Sequence, residues 1–260
     1  MLNSGAKEKS GVKFSTTKKV IKLVGRAIGD FSLIDDGDRI AVALSGGKDS
    51  WSLLYSLLDL RKRAPVNYEI CAVTISTNDK DNRLKKMTER LDADGIAYRS
   101  IFCDIPSIIS NHLSDGSSPC SLCSRIRRGV LYSFASSDGW NKIALGHHMD
   151  DFVETLLLNL FFNGSIKCMS PKLAADDGKN VVIRPLVYVR EENTAKMAEE
   201  MGLPVEACGC IFQTEVDSKR RWVKKLLGQL ENEIPNVKNS ILSSMGRVFD
   251  RHLLKRVAKM

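Results

Sequence analysis

No stretch of this 260-residue chain has enough consecutive apolar residues to cross a bilayer, which takes about twenty. The sequence therefore reads as one with no membrane span. Met1 to Thr16 is polar and lysine-rich and lacks the apolar centre of a secretory signal, so residues 1–16 are expected to be a disordered basic N-terminus. There is no internal repeat, and no low-complexity tract beyond that segment. The seven cysteines, in a chain read as having no export signal, exclude a disulfide framework and point to reduced thiols in the cytoplasm, available to a metal. Acidic residues are the scarcer charge, 31 against 39 basic ones, and the formal charge of +8 calls for an anionic partner. The excess sits at the two ends, at Lys7, Lys9, Lys13, Lys18 and Lys19 and again at Lys219, Arg220, Arg221, Lys224 and Lys225. Nucleic acid is the expected partner.

What is present is a globular composition, 43% hydrophobic and 27% charged, with alternating strand and helix patterns. Val20, Ile21, Val24, Ala27, Ile28 and Phe31 recur at helical spacing within 17–34. Strands are expected at 38–44, 68–75, 97–102 and 142–145, and helices at 49–62, 80–94, 121–138 and 150–162. Residues 163–180 read as irregular, Val181 to Pro185 as a last strand, and 190–201 as a helix. The region 212–260 reads as two helices split near Pro235. This rhythm predicts an α/β fold, a doubly wound and mostly parallel sheet over 17–205, with a small helical C-terminal extension at 206–260.

Ser45-Gly46-Gly47-Lys48-Asp49-Ser50 follows the apolar strand Ile40 to Leu44 and opens an apolar-periodic helix. A glycine turn at a helix start offers backbone N–H groups to an anion at the positive end of the helix. Gly46 and Gly47 allow close approach, Ser45 and Ser50 add hydroxyl donors, and Lys48 adds a charge. It is not a Walker loop: no glycine stands five residues before Gly47, and Asp49 follows the lysine. The run resembles the pyrophosphate loop, SGGxDS, of the ATP pyrophosphatases, which cleave ATP between its α- and β-phosphates. A second junction, Gly146-His147-His148-Met149-Asp150-Asp151, has a glycine for close approach and carboxylates suited to Mg²⁺ on ATP phosphates. The aspartates equally suit a helix cap, and the histidines equally suit packing at a strand end. Thr155 and Asn159 follow one and two turns on.

Cys120-Ser121-Leu122-Cys123 is a C-x-x-C, and Cys208-Gly209-Cys210 lies far along the chain. Thiolates suit iron–sulfur centres or zinc. Three ligands leave one iron of a [4Fe–4S] cube open, whereas a four-cysteine site with Cys210 would be closed, structural zinc. Cys71 and Cys103 read as core residues, and Cys168 has no partner nearby. Arg127 is one turn after Cys123. With Arg125 and Arg128 it suits either this site, nucleic-acid phosphate, or a solvated helix face.

SGGKDS, CSLCSRIRRG (Cys120 to Gly129) and LGHHMDDFVETLLLN (Leu145 to Asn159) together resemble the TtcA family, the tRNA 2-thiocytidine synthetases. Ser170-Pro171-Lys172-Leu173, Ile183-Arg184-Pro185-Leu186 and the cysteine after Leu203-Pro204-Val205 also fit that family, over roughly residues 20–240. The resemblance implies an ATP- and Mg²⁺-dependent enzyme with a [4Fe–4S] cluster on Cys120, Cys123 and Cys208, which thiolates C2 of cytidine 32 in the tRNA anticodon loop. It implies nucleotide binding by Ser45, Gly46, Gly47, Lys48, Asp49, Ser50, Gly146 and His147, and chemistry by Asp49, Asp150, Asp151 and Arg127. The absence of any cysteine before Cys71 or after Cys210 fits this branch better than the thiouridine branch, which carries zinc ribbons at both termini. The third-ligand pattern departs from the family's C-x-x-C, so a ligand shifted to Cys210 stays open, as does the choice between Asp150 and Asp151 for Mg²⁺. Expected partners are tRNA, a cysteine desulfurase or other sulfur donor, and a second copy in a homodimer, with no membrane. The rival readings are a thiouridine synthetase, a cluster-free tRNA ligase or amidating synthetase on the same loop, and a zinc-stabilised RNA-binding module.

Overall fold

The computed structural model describes residues 15–77, 82–112, 119–175, 178–206 and 218–254. In chain order the elements are α1 (Ser15–Asp30), β1 (Asp38–Ala43), α2 (Lys48–Arg61), β2 (Tyr68–Ser76), α3 (Asn82–Ala93), β3 (Tyr98–Phe102), α4 (Ile105–His112), α5 (Pro119–Ser137), β4 (Lys142–Ala144), α6 (Met149–Asn163), β5 (Lys172–Ala174), β6 (Val181–Ile183), α7 (Glu191–Glu200), α8 (Ser218–Glu233) and α9 (Val237–Met245), followed by a single 3₁₀ turn. The strands form one sheet in the order β3-β2-β1-β4-β6-β5. All pairings are parallel except β5 with β6.

Strands β1 and β2 bury both faces, and their side chains sort by parity. Ile40, Val42, Tyr68, Ile70 and Ala72 enter one core with Val20 and Val24 of α1, Trp51, Leu54 and Leu57 of α2, and Met197 of α7. Ala41, Cys71, Val73 and Ile75 enter the opposite core with Ile105, Ile109 and Leu131 of α4 and α5. Cys71 is thus a core residue. A third cluster docks α8 on α6 through Val223 and Leu227 against Met149, Val153 and Leu157.

The structure departs from the sequence reading in three places. Residues 15 and 16, expected in the disordered N-terminus, already belong to α1. The Glu200 carboxylate at the end of α7 accepts the N–H groups of Thr16 and Thr17 and the Thr17 hydroxyl, so donors with no partner inside the helix are met. The stretch 163–180, expected to be irregular, contains β5, which pairs antiparallel at the sheet edge. The unforeseen α4 forms because Ile105 and Ile109, one turn apart, both bury. The break near Pro235 falls between α8 and α9 as expected.

The chain leaves β1 toward β2 on one side of the sheet, while β4 lies on the other side. The carboxyl ends of β1 and β4 therefore flank the point where strand order reverses, the place where open α/β sheets hold ligands. The Ser45 loop leaves one of these ends and the Gly146 junction the other.

Candidate active site

The loop after β1 is braced by its own side chains. The Ser45 and Gly47 N–H groups donate to the Ser50 and Ser45 hydroxyl oxygens at 3.2 and 3.3 Å, and Ser50 Oγ donates to the Gly47 carbonyl at 2.9 Å. Gly46 has φ +85°, a left-handed backbone open to glycine. Gly47 then caps α2 in extended conformation. Gly146 has a different duty: a Cβ there would lie 3.1 Å from the Ser50 nitrogen and 3.2 Å from the Asp49 carbonyl carbon. The missing side chain lets the β4 end close directly onto the start of α2.

Around this contact lies a cleft of about 400 Å³ lined by Lys48, Asp49, His148, Asp151, Glu154, Glu191, Arg220, Arg221 and Lys224. Lys48 Nζ sits 3.0 Å from Asp49 and 3.3 Å from Glu191. Burial opposes its charge, but Asp49 and Glu191 more than offset this and raise its pKa. Thr194 donates its hydroxyl to the other Asp49 oxygen. Burial raises the Glu191 carboxyl, yet Lys224, at 2.6 Å, and Lys48 bring it below the usual range. Arg220 binds Glu154 at 2.9 Å and stands 3.5 Å from Asp151. Burial dominates at Glu154 and raises its pKa despite Arg220.

The two aspartates of the second junction part ways. Asp151 caps α6, accepting the His148 N–H at 3.0 Å, and keeps its other oxygen toward the cleft and Arg220. Asp150 is buried and turned away. One oxygen accepts the Glu191 N–H at 2.7 Å and the other pairs with Lys238 of α9 at 2.8 Å. Burial raises its pKa, but Lys238 and that N–H outweigh it and hold the carboxyl low.

His147 does not line the cleft. Its Nδ1 accepts a hydrogen bond from Arg184 Nε at 3.2 Å, while Arg184 Nη1 donates to the Ser170 carbonyl at 2.6 Å. Three separated sequence motifs thus meet at one guanidinium. Burial first, and the Arg184 charge with it, pull the His147 pKa to about 4, so the ring is neutral at pH 7. Asn159 donates to the carbonyls of Thr155 and Lys167 and ties down the loop after α6.

Cys120 and Cys123 both lie in the first turns of α5, the side chain of Cys120 lying outside the described residues. Cys123 is half-buried and accepts a hydrogen bond from Arg127 Nε at 3.4 Å. Cys103 packs in the same apolar cluster, its pKa raised by burial. Arg127 also lines a cavity of about 110 Å³ with Ser45, Arg83, Val73, Ile75 and Leu131, so one side chain links Cys123 to the loop. Cys208 and Cys210 lie outside the described residues. Glu206, the last described residue before them, donates its N–H to the Gly46 carbonyl at 3.1 Å. The chain therefore departs toward Cys208 from the loop itself.

The sequence reading gave Glu154, Glu191, Thr194 and Arg220 no role in this site, although Glu154 lies within the Leu145 to Asn159 motif and Arg220 within the C-terminal basic run. Only the acidic start of α7 hinted at Glu191.

A strand, a glycine turn and a helix with a basic and an acidic residue in its first turn, set at the reversal of a parallel sheet, define a PP-loop nucleotide-binding protein, and the PP-loop domain family matches residues 16–205. Within that class the chain belongs to the tRNA-cytidine(32) 2-sulfurtransferase family. It is 52% identical over 237 residues to the tRNA-cytidine(32) 2-sulfurtransferase of Syntrophotalea carbinolica, covering 91% of this chain and 92% of the relative. It is 51% identical, with the same coverage, to that of Geobacter sulfurreducens. Among solved structures, the U34-tRNA thiolase NcsA from Methanococcus maripaludis with its [4Fe-4S] cluster shares the fold, with a TM-score of 0.75 at 22% identity over 95% of this chain and 86% of that one. Among the described residues no helix is long and apolar enough to cross a membrane.

Proposed function

We propose that this chain thiolates C2 of cytidine 32 in the tRNA anticodon loop, using ATP to activate the C2 oxygen. The observation that carries this reading is the joining of the phosphate loop to a cysteine helix through Arg127, in a chain half identical to sulfurtransferases of that specificity.

The C2 carbonyl of cytosine is a poor electrophile, and its oxygen is a poor leaving group. Attack of that oxygen on the α-phosphorus of ATP breaks the bond to the β-phosphate and releases pyrophosphate. Hydrosulfide then adds at C2 and gives up its proton, and the oxygen departs with AMP. The N–H groups of the Ser45–Ser50 loop and the start of α2 hold the β- and γ-phosphates, with Lys48 exchanging Glu191 for phosphate. The cleft's carboxylates form a hard oxygen donor set that fits Mg²⁺. Asp49 and Asp151 would hold it, since Asp150 is committed to Lys238 and the Glu191 N–H. Gly146 closes the β4 end onto the loop, and His147 acts through Arg184 to fix that junction.

The donor chemistry also fits a [4Fe–4S] cluster. Cys123 is a half-buried thiol facing a cationic donor, Cys120 is in the same helix start, and Cys208 is two residues beyond a residue bonded to Gly46. Cys120, Cys123 and Cys208 would hold such a cluster, which would supply an open iron site for sulfur. Arg127 places its positive charge beside the Cys123 sulfur. A cysteine desulfurase together with a two-electron thiol reductant, or another donor of sulfide, delivers the sulfur, the protein works as a homodimer, and it works in the cytoplasm, where thiols stay reduced. The test is anaerobic turnover with tRNA, ATP and sulfide, followed by iron analysis and separation of the nucleotide products. AMP and pyrophosphate with an iron-loaded protein are expected. ADP as the product, or zinc in place of iron, would contradict the proposal.

A further inference from the structure

Outside the cleft, the most unusual surface is aromatic. Phe161 and Phe162 end α6 with exposures of 51% and 41%, and Trp222 of α8 is 51% exposed. The indole meets both phenyl rings edge-on, with centroids 5.9 and 6.0 Å away at 79° and 76°. Lys219 Nζ lies 5.0 Å from the Phe162 centroid. Leu160 and Ile166 extend the exposed apolar surface. The core does not require these rings: Val223 and Leu227 on the adjacent face already seat α8 on α6.

The helix that carries Trp222 is basic along this stretch. From Ser218 to Leu227, α8 carries Lys219, Arg220, Arg221, Lys224 and Lys225 and no acidic residue. Lys167 is exposed in the loop that Asn159 ties to α6. The same helix places Arg220, Arg221 and Lys224 in the cleft beside Lys48 and Asp49. The aromatic patch is therefore continuous, along one helix, with the site of chemistry.

We infer that Phe161, Phe162 and Trp222 form a stacking platform for an unpaired base of the RNA substrate, with the basic face of α8 holding the flanking phosphates. A protein partner would meet a basic rim in which Lys219, Arg221 and Lys225 form no ion pair among the described residues, whereas single-stranded RNA offers what the patch lacks: flat apolar bases on a polyanion. A base beside the reacting cytidine, splayed out of the anticodon loop and stacked here, would hold the target at the cleft. This inference rests on the tRNA reading above and adds a subsite to it.

The test uses the full chain and tRNA, with an oligouridine and an RNA duplex of equal length as probes. Trp222→Ala and the double variant Phe161→Ala/Phe162→Ala change exposed positions, and unchanged ATP binding checks that each variant is folded. Each should weaken tRNA and oligouridine binding by about five- to a hundredfold. Duplex binding and the salt slope of tRNA binding should stay as in the wild type, because no phosphate contact is removed. Oligouridine should also quench an indole signal that Trp222→Phe removes. Variants that bind tRNA like the wild type would overturn the platform while leaving the thiolation reading intact. So would variants that lose duplex and oligouridine binding alike with a reduced salt slope. A wild-type protein with no affinity for tRNA would overturn both.

Discussion

Arg127 Nε stands 3.4 Å from the Cys123 sulfur, and Arg127 also lines, with Ser45, a cavity of about 110 Å³. One side chain, four residues along α5 from the sulfur, thus lies between the start of the cysteine helix and the phosphate loop.

Arg127→Ala is expected to leave the iron content unchanged while lowering thiolation by tenfold or more, a transition-state loss of about 1.4 kcal/mol or greater. Arg127→Lys should rescue it only in part, because an ammonium lacks the planar fork of donors. Metal analysis beside single-turnover thiolation checks this. Loss of iron in Arg127→Ala would make the residue a support for the cysteines instead.

Lys48→Ala and Asp49→Asn should abolish AMP formation with the protein still folded, since both stand at the first turn of α2 and neither is part of either core. Chromatography of the nucleotides after incubation with tRNA and ATP reads the result. AMP at the wild-type rate in either variant would remove the loop from the chemistry.

The adjacent aspartates should separate cleanly. Asp150→Asn leaves the half-buried Lys238 with Glu231 as its one carboxylate, so stability should fall by about 1–3 kcal/mol. Asp151→Asn should barely alter the melting temperature but reduce AMP formation and its dependence on Mg²⁺ concentration. Thermal melts and Mg²⁺ titrations of both variants decide it, and the reverse pattern would reassign the metal to Asp150.

His147 gives a pH dependence with a definite sign. Its folded pKa of about 4 lies below the ordinary 6.5, through burial and the Arg184 charge. Between these values the unfolded chain binds the proton and the folded one does not. The contribution to stability is therefore full above pH 6.5 and falls as the pH drops toward 4, by at most about 1.4 kcal/mol per pH unit. Melting temperatures of the wild type should drop more steeply over that window than those of His147→Asn. Parallel profiles would show that this ring does not couple protonation to folding.

The sequence made legible what is local. Strand periodicity, two glycines and a helix start identified the Ser45–Ser50 loop and placed it at the end of β1, and the βα rhythm gave the parallel sheet. What escaped was set by contacts between distant elements. Glu191 reaches Lys48 across 143 positions, and Thr194 reaches Asp49 across 145. No local pattern encodes either pairing. Asp150 and Asp151 look equivalent in sequence because both follow the capping histidine. Only the helical turn between them, and Lys238 arriving from α9, makes one an anchor and leaves the other at the cleft. Gly146 was legible as a close-approach glycine, but what approaches it is the backbone of α2.

C2 of cytidine 32 is the carbon expected to receive sulfur, and mass spectrometry of tRNA nucleosides tests that most directly. Digested tRNA from cells lacking this gene should have lost 2-thiocytidine and regained it with the wild-type gene, but not with Cys120→Ser, Cys123→Ser, Cys208→Ser or Asp151→Asn. Persistence of 2-thiocytidine in the deletion strain, with a thiouridine or lysidine lost in its place, would contradict the substrate assignment and leave only the PP-loop chemistry standing.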